Sequence, residues 1–372
     1  MLKIQEWLTQ NNFNYDLLKS QLNVSANFHP TDDRVILNYC QIESPKYNDV
    51  VRDCRGIILN KNDASLIGRS FRRFFNWGEE VDAMKRFNWD RCYINSKEDG
   101  SIITVYKYNG QWRINTRNSY GGGEVNNSGL NWYDIFSRAL HKHNKATLQD
   151  FDRIADEGMS LVFELCSPFN QIVRAYGEPT LFLLAIFSGE IEWNPVAVDG
   201  FATTYGFNRP TTIVCQDPFE VTAAIAKRAS SDITFEGFVL RDCHNTRFKL
   251  KSEAYLQLHR LANNGNVASW KNLVPIALSG ETDEVVTYFP YIQERLAIAE
   301  DEIRKIVSEL DNIYFCHWDE KSRKKFAEEV KKHPFSSVLF SLYGTPYPDV
   351  HMRTELAKYE DKVVDYITRK HK

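Results

Sequence analysis

The residues with the clearest chemical potential begin at Lys97, in the string Lys97-Glu98-Asp99-Gly100-Ser101. A lysine amine attacks an electrophile only when deprotonated, and its reference pKa is about 10.4. A nucleophilic lysine must therefore be brought down toward roughly 7–8 by burial or by neighbouring cations. Lys249 and Lys251 in the string FKLKS (Phe248–Ser252) can supply such cations. Two apart in a strand, they emerge on one face while Phe248 and Leu250 turn to the core. That geometry also sets two positive charges against a triphosphate, where charge builds on the phosphorus oxygens and on departing pyrophosphate.

These residues need a scaffold of strands. From about residue 30 to 252 the sequence reads as short strands and turns, with alternation at Ile102–Tyr108 and apolar runs at Ile57–Leu59, Leu161–Leu165, Leu181–Phe187 and Phe238–Leu240. Helical segments interrupt them near Trp132–His143 and Pro218–Ala229. After Ser252 the pattern changes. Ile292, Leu296, Ala299, Ile303, Ile306, Leu310 and Ile313 are spaced by threes and fours, the signature of an amphipathic helix. Charged, helix-favouring segments follow at Asp319–Lys332 and Thr354–Lys370, with Pro334, Pro346 and Pro348 as breaks. The expected class is α+β: an antiparallel-rich mixed domain over residues 1–254, then an all-helical domain over 255–372.

At 372 residues the chain exceeds one typical core. It has no apolar run of the roughly 20 residues needed to span a bilayer and no secretory apolar core at its start. Its seven cysteines are scattered without metal spacing, which predicts a reduced, cytoplasmic protein without a membrane partner. A net charge of −3 neither points to nor excludes nucleic acid, because one groove can hold the positive charge.

The chemistry-bearing strings occur in a fixed order: CRG at Cys54–Gly56, FRRFFNWGE at Phe71–Glu79, KEDGS at Lys97–Ser101, FELCSP at Phe163–Pro168, EGFVLR at Glu236–Arg241 and FKLKS. This series resembles the nucleotidyltransferase motifs shared by DNA ligases, RNA ligases and mRNA capping enzymes. The flanking text, CRGI, FFN, KEDGS and FKLKSEAY, is most similar to the RNA ligases of T-even phages, the tRNA-repair type. The resemblance implies an ATP-grasp-like nucleotidyltransferase domain followed by a tRNA-specificity module. It implies Lys97 as the nucleophile that forms lysyl–AMP, with Asp99 and Gly100 shaping its turn. Glu164 is then the ribose contact, Glu236 the acid beside metal and nucleophile, and Lys249 and Lys251 the α-phosphate contacts. Arg55, Arg73, Phe75 and Arg117 complete the ATP-binding set, Arg73 standing where the phage enzymes carry lysine; arginine keeps the charge and adds a planar fork. ATP as substrate, Mg2+ or Mn2+ as metal, and RNA with 5′-phosphate and 3′-hydroxyl ends follow. A nicked tRNA, a separate end-healing kinase–phosphatase and, for a phage-encoded chain, the host cytoplasm follow likewise.

Plainer readings compete at each position. Lys97 suits an ordinary β-turn, since Asp-Gly is a common turn pair. Glu164 in an apolar strand could pair with Arg174. Lys249 and Lys251 could be the solvent face of an edge strand. Phe74, Phe75 and Trp77 could stack a base or pack a core. Gly121–Gly123 is a loop, Cys316-His317 is structural, and His141, His143 and His259 receive no role. The rival functions are a DNA ligase or capping-type enzyme and an inert RNA-binding protein with the same fold. The first would add five OB-fold strands after FKLKS, where helix is expected instead.

Overall fold

The computed structural model describes residues 1–40, 43–126, 128–144, 147–256, 258, 268–279, 286, 292–347 and 352–371. His259 and Pro348 lie outside the described residues. The chain divides into two compact units, Met1–Tyr255 and Leu256–Lys372.

The first unit carries fourteen strands in three sheets. The first sheet orders β1 (Val24–Phe28), β2 (Arg34–Tyr39), β3 (Arg55–Asn60) and β4 (Leu66–Gly68) in sequence. The later strands are β5 (Phe75–Asn76), β6 (Cys92–Ser96), β7 (Ser101–Tyr108), β8 (Gln111–Asn115), β9 (Met159–Cys166), β10 (Thr180–Ser188), β11 (Ile191–Glu192), β12 (Thr212–Ile213), β13 (Gly237–Asp242) and β14 (Arg247–Lys251). The second sheet runs β11-β10-β9-β7-β8 and the third β12-β6-β13-β14-β5. Every pairing is antiparallel except β14 with β5, so the antiparallel-rich mixed architecture expected from the sequence is the one observed.

Local sequence explains the elements. The four apolar runs and the alternating segment all fall inside strands, β9 being buried along its whole length. Helix Pro195–Tyr205 starts with the Asn194 side chain accepting from the Ala197 amide, and helix Pro218–Ala229 starts with Asp217 accepting from Glu220. Both place proline at the first turn, where its missing N–H costs nothing. Helix Trp132–Asn144 packs Ile135, Phe136, Ala139 and Leu140 on the second sheet. The third sheet packs Ile94, Phe238, Leu240 and Phe248 against Val221 and Ile225.

Two features went beyond the sequence reading. Helices Lys3–Gln10 and Tyr15–Leu22 and strand β1 precede the expected start of the sheet region; Ile4, Leu8 and Leu18 bury against the first sheet. In the second unit the long amphipathic helix spans Gln293–His317, and its buried seam ends on Tyr314, with Ile313 only half-buried. The described part of this unit consists of helices, among them Trp270–Ser279, Arg323–Val330 and Glu360–Lys370, and no strand occurs there. No helix of the described residues is long and apolar enough to cross a membrane.

Candidate active site

Two antiparallel connections bring the key residues together. Lys97 follows β6 directly, and its amide donates to the Gly237 carbonyl at 2.8 Å. Glu236 precedes β13 directly, and its carbonyl accepts from the Ser252 amide at 2.9 Å. Gly237 pairs with Lys251 across the sheet. The ends of three adjacent strands thus converge, and the side chains meet. Glu236 Oε2 accepts from Lys97 Nζ at 2.8 Å, and Glu236 Oε1 lies 2.7 Å from Lys251 Nζ.

Glycine permits both approaches. A Cβ at Gly237, where φ is +130°, would lie 2.1 Å from the Leu250 carbonyl oxygen. At Gly100 it would lie 2.4 Å from the Leu165 carbonyl oxygen. The Lys97–Gly100 segment crosses from the third sheet to the second, and Gly100 lets it pass against β9 beside Glu164.

The resulting cleft has a volume of about 460 Å³. Eight cationic side chains line it against two carboxylates, Glu98 and Glu164. The net charge of the chain therefore hides a strongly cationic groove, which suits a polyanion. Arg55, Lys97, Gly100, Arg117, Glu164, Lys249 and Lys251 all line it. Glu236 lies behind the wall, 3% exposed, bonded to its two lysines. Phe74 lines the cleft too, with Lys249 Nζ 5.2 Å and Arg55 Cζ 5.3 Å from its ring.

Other expected residues lie elsewhere. Phe75 is buried with its ring against Tyr47 and does not line the cleft. Arg73 is also outside it, its guanidinium 4.2 Å from the Tyr39 ring centroid. Asp99 is a structural anchor rather than a lining group. Its carboxylate accepts from the Val173 and Arg174 amides at 2.9 and 2.7 Å and from the Tyr255 hydroxyl at 2.7 Å. Arg117 lines the cleft but donates to Asn38 Oδ1 and the Tyr39 carbonyl. Trp77 packs with Phe87, Trp89 and Phe248. Of the three aromatics expected to stack a base or pack a core, Phe74 is the one that lines the cleft. Tyr255, which the sequence reading gave no role, holds Asp99 from 156 residues away.

Two plain readings fall. Glu164 does not pair with Arg174, whose guanidinium lies 3.6 Å from Asp232. Strand β14 is not an edge, because β5 pairs with it on the side away from β13. The described residues contain no cluster of three or more His, Cys, Asp or Glu that could hold a metal.

The electrostatics correct one further expectation. Burial pulls the Lys97 amine down, but the Glu236 and Glu164 carboxylates outweigh it and hold Lys97 above its ordinary value. The lysine brought down is Lys249, to about 8, by burial and by Arg55, Lys97 and Lys251. Burial pushes Glu164 up to about 7 despite the nearby Lys97. Glu236 is held below its ordinary value because Lys97 and Lys251 outweigh its burial.

A family model described as RNA ligase matches residues 53–256, which include every residue of this cleft. The chain belongs to the RNA ligase family. Among similar proteins, the putative bifunctional polynucleotide kinase/RNA ligase of Autographa californica nuclear polyhedrosis virus is 31% identical over 278 residues, covering 70% of this chain and 38% of the viral one. The chain thus spans well under half the length of that relative. The putative RNA ligase of Thermovibrio ammonificans is 22% identical over 337 residues, covering 86% of this chain and 85% of its own. Among solved structures, Naegleria gruberi RNA ligase with PPi is similar over 48% of this family member and 54% of that chain, at 15% identity and a TM-score of 0.35.

Proposed function

We propose that this chain is an ATP-dependent RNA ligase that carries AMP on Lys97 and seals RNA ends. The observation that carries the reading is the convergence of Lys97, Lys249, Lys251 and Glu164 on one cationic cleft, with Glu236 gripping two of the lysines. In the first step the neutral Lys97 amine attacks the α-phosphorus of ATP. A phosphoramide bond forms, the α–β anhydride bond breaks and pyrophosphate leaves. In the second step an RNA 5′-phosphate oxygen takes the AMP and frees Lys97. In the third an RNA 3′-hydroxyl attacks that activated phosphate and AMP departs.

The groups present have matching tasks. Lys249 and Lys251 oppose the charge that grows on the phosphorus oxygens, Arg55 and Arg117 extend that field, and Glu164 accepts from the ribose hydroxyls. Magnesium is held by one or two carboxylates together with substrate phosphates and waters. The donor set here, Glu98 and Glu164 on the cleft wall with Glu236 behind it, fits a metal that arrives with the triphosphate. Such an ion would neutralise charge on the phosphates. Both Glu236 oxygens already serve lysines, so a metal contact there requires one lysine to release. Moving Lys97 off Glu236 also removes the carboxylate that keeps it protonated.

The substrate in this reading is RNA with 5′-phosphate and 3′-hydroxyl ends, with a nicked tRNA as the natural case. Residues 1–254 would be the adenylating domain and 255–372 the part that selects the RNA. The viral relative is described as a kinase and a ligase in one protein, which supports pairing this chain with an end-healing kinase–phosphatase. Seven free cysteines support a reducing cytoplasm, that of the host if the chain is phage-encoded.

The test is incubation with ATP labelled at the α-phosphate. The parent becomes covalently labelled, and Lys97→Ala does not. Label appearing on another residue of the variant would reject the assignment of Lys97.

A further inference from the structure

A second cleft, of about 540 Å³, adjoins the first; it holds Arg73 of the expected ATP-binding set but none of Lys97, Glu164, Lys249 and Lys251. The two share a wall, since Phe71, Phe74 and Arg247 line both. Phe74 is the residue that faces Lys249 and Arg55, so the second cleft opens beside the end of the first where phosphorus chemistry would occur.

Six of the residues lining this second cleft are arginines. Some have matched partners. Arg52 donates to Glu80 at 3.1 Å, and Arg72 reaches Asp53 at 2.7 Å. Others do not. Arg247 shares the single carboxylate of Glu192 with Arg241. Arg69 is 7% exposed; its Nη1 donates to the Glu190 carbonyl at 2.9 Å, and its guanidinium lies 4.7 Å from the Phe187 ring centroid. No carboxylate pairs with Arg69, and its buried Nε has no hydrogen-bond partner among the described residues. The Arg52 Nε is likewise buried and unpartnered. Arg86 is exposed at the mouth, with no ion pair among the described residues.

Asp53, Glu190 and Glu192 also line the cleft and offset part of the Arg69 charge, but burial and Arg72 outweigh them. A buried guanidinium with an unused donor and no carboxylate in direct contact is costly unless an anion completes it. Arginine forks match phosphate oxygens two at a time. We infer that the arginine cleft binds the RNA strand that carries the 5′-phosphate and delivers that phosphate past Phe74 to the lysyl–AMP. This deepens the ligase reading and rests on it. The phosphate-bearing strand is the better match than the hydroxyl-bearing one, because a terminal phosphate brings extra negative charge to the position nearest the shared wall. The alternative anion, pyrophosphate or the triphosphate tail of ATP, would make the cleft part of the first step.

The experiment separates these possibilities with Arg86→Glu and Arg69→Met in the full chain. Arg86 is exposed, so its replacement leaves the fold intact; Arg69→Met keeps an apolar stem over Phe187, and its thermal unfolding is checked beside the parent. Labelling by ATP is followed first, then single-turnover transfer of AMP from the labelled enzyme to a 5′-phosphorylated oligoribonucleotide over a range of concentrations. The expected result is an unchanged ATP dependence of labelling. The half-saturating oligonucleotide concentration rises on the order of tenfold, with a shallower salt dependence and an unchanged plateau rate. A 5′-hydroxyl oligonucleotide, used as a competitor, loses less affinity than the phosphorylated one. If the ATP or pyrophosphate dependence of labelling shifts instead, the cleft belongs to the first step and the inference is overturned. Unchanged half-saturation in Arg86→Glu also overturns it and leaves the ligase reading standing. A parent enzyme that takes no label, or that transfers none to RNA, overturns the ligase reading itself.

Discussion

Glu164→Gln should make the unliganded protein more stable at pH 8 and leave it nearly unchanged at pH 5. Glu164 is 7% exposed and sits in the middle of the second sheet, between Ile102 and Phe182. Burial raises its carboxyl from 4.5 to about 7. Between those values the folded chain holds a proton that the unfolded chain has released, so stability falls as pH rises through the window. At 1.36 kcal/mol per unit, the loss across the window is about 3 kcal/mol. Glutamine is nearly isosteric and never ionises. At pH 5 it replaces a carboxyl that is already neutral, whereas at pH 8 it removes the cost of a buried carboxylate.

Thermal unfolding of parent and variant at several pH values reads this directly. For a unit of this size 1 kcal/mol moves Tm by roughly 2–4 °C, so the variant should gain roughly 6–12 °C at pH 8 and little at pH 5. Saturating ATP should narrow the difference, because the parent gains a ribose contact that the variant makes less well. A variant less stable than the parent at pH 8 would mean that the ionised Glu164 is held by Lys97 and Arg55 as a structural ion pair. The account of Glu164 as a group held in readiness for ligand would then fail.

The remaining predictions concern protons, backbone and RNA choice. Lys249 titrates at about 8 in the free enzyme, and a triphosphate beside it should raise that value. ATP binding above pH 8 should therefore take up a proton and weaken by up to tenfold per pH unit, which calorimetry in buffers of different ionisation heat detects; proton release would contradict the placement of Lys249 against phosphate. Gly237→Ala puts a Cβ 2.1 Å from the Leu250 carbonyl oxygen at a φ of +130°. It should cost about 3 kcal/mol of stability and slow labelling by pulling Glu236 away from both lysines; normal labelling kinetics would show that the strand-end geometry tolerates displacement. Lys324→Glu with Lys325→Glu reverses two exposed charges on helix Arg323–Val330. It should abolish any preference for nicked tRNA over unstructured RNA without touching labelling, measured by competition between the two RNAs.

Lys97, Glu164, Glu236, Lys249 and Lys251 were legible as neighbours because each lies at a strand end or on a strand face. Lys249 and Lys251 share a face because a strand has a period of two, and their neighbours Phe248 and Leu250 pack as that period requires. The period did not settle Phe74 against Phe75. Strand β5 is only two residues long, too short to display alternation, and its face is set by pairing with β14. Phe75 lies opposite Phe248 and turns to the buried side, which sends Phe74 to the side of Lys249. The protonation of Lys97 was illegible for a different reason. Lys249 and Lys251 stand out as cations, but the controlling carboxylate is Glu236, 139 residues away in sequence and 2.8 Å away in space. Tyr255 and Asp99 are a similar case, separated by 156 residues and joined by one hydrogen bond.

In the proposed reading the unliganded site holds Lys97 in the wrong protonation state and leaves Lys249 and Glu164 close to titration. Lys97 is paired and protonated, Lys249 is close to losing its charge at neutral pH, and Glu164 is close to gaining a proton. A polyanion entering the cleft corrects all three in one direction or another. Phosphate charge restores the proton of Lys249, ribose hydroxyls give Glu164 donors, and a lysine drawn toward the phosphates releases a Glu236 oxygen. Binding energy from parts of the nucleotide that do not react can then be used to free the nucleophile, which is how remote contacts raise a rate rather than merely an affinity. This also accounts for a chain that keeps a buried carboxylate worth about 3 kcal/mol of lost stability at neutral to alkaline pH. A protein selected only to fold would gain from glutamine at position 164, which is nearly isosteric with glutamate and never carries the buried charge.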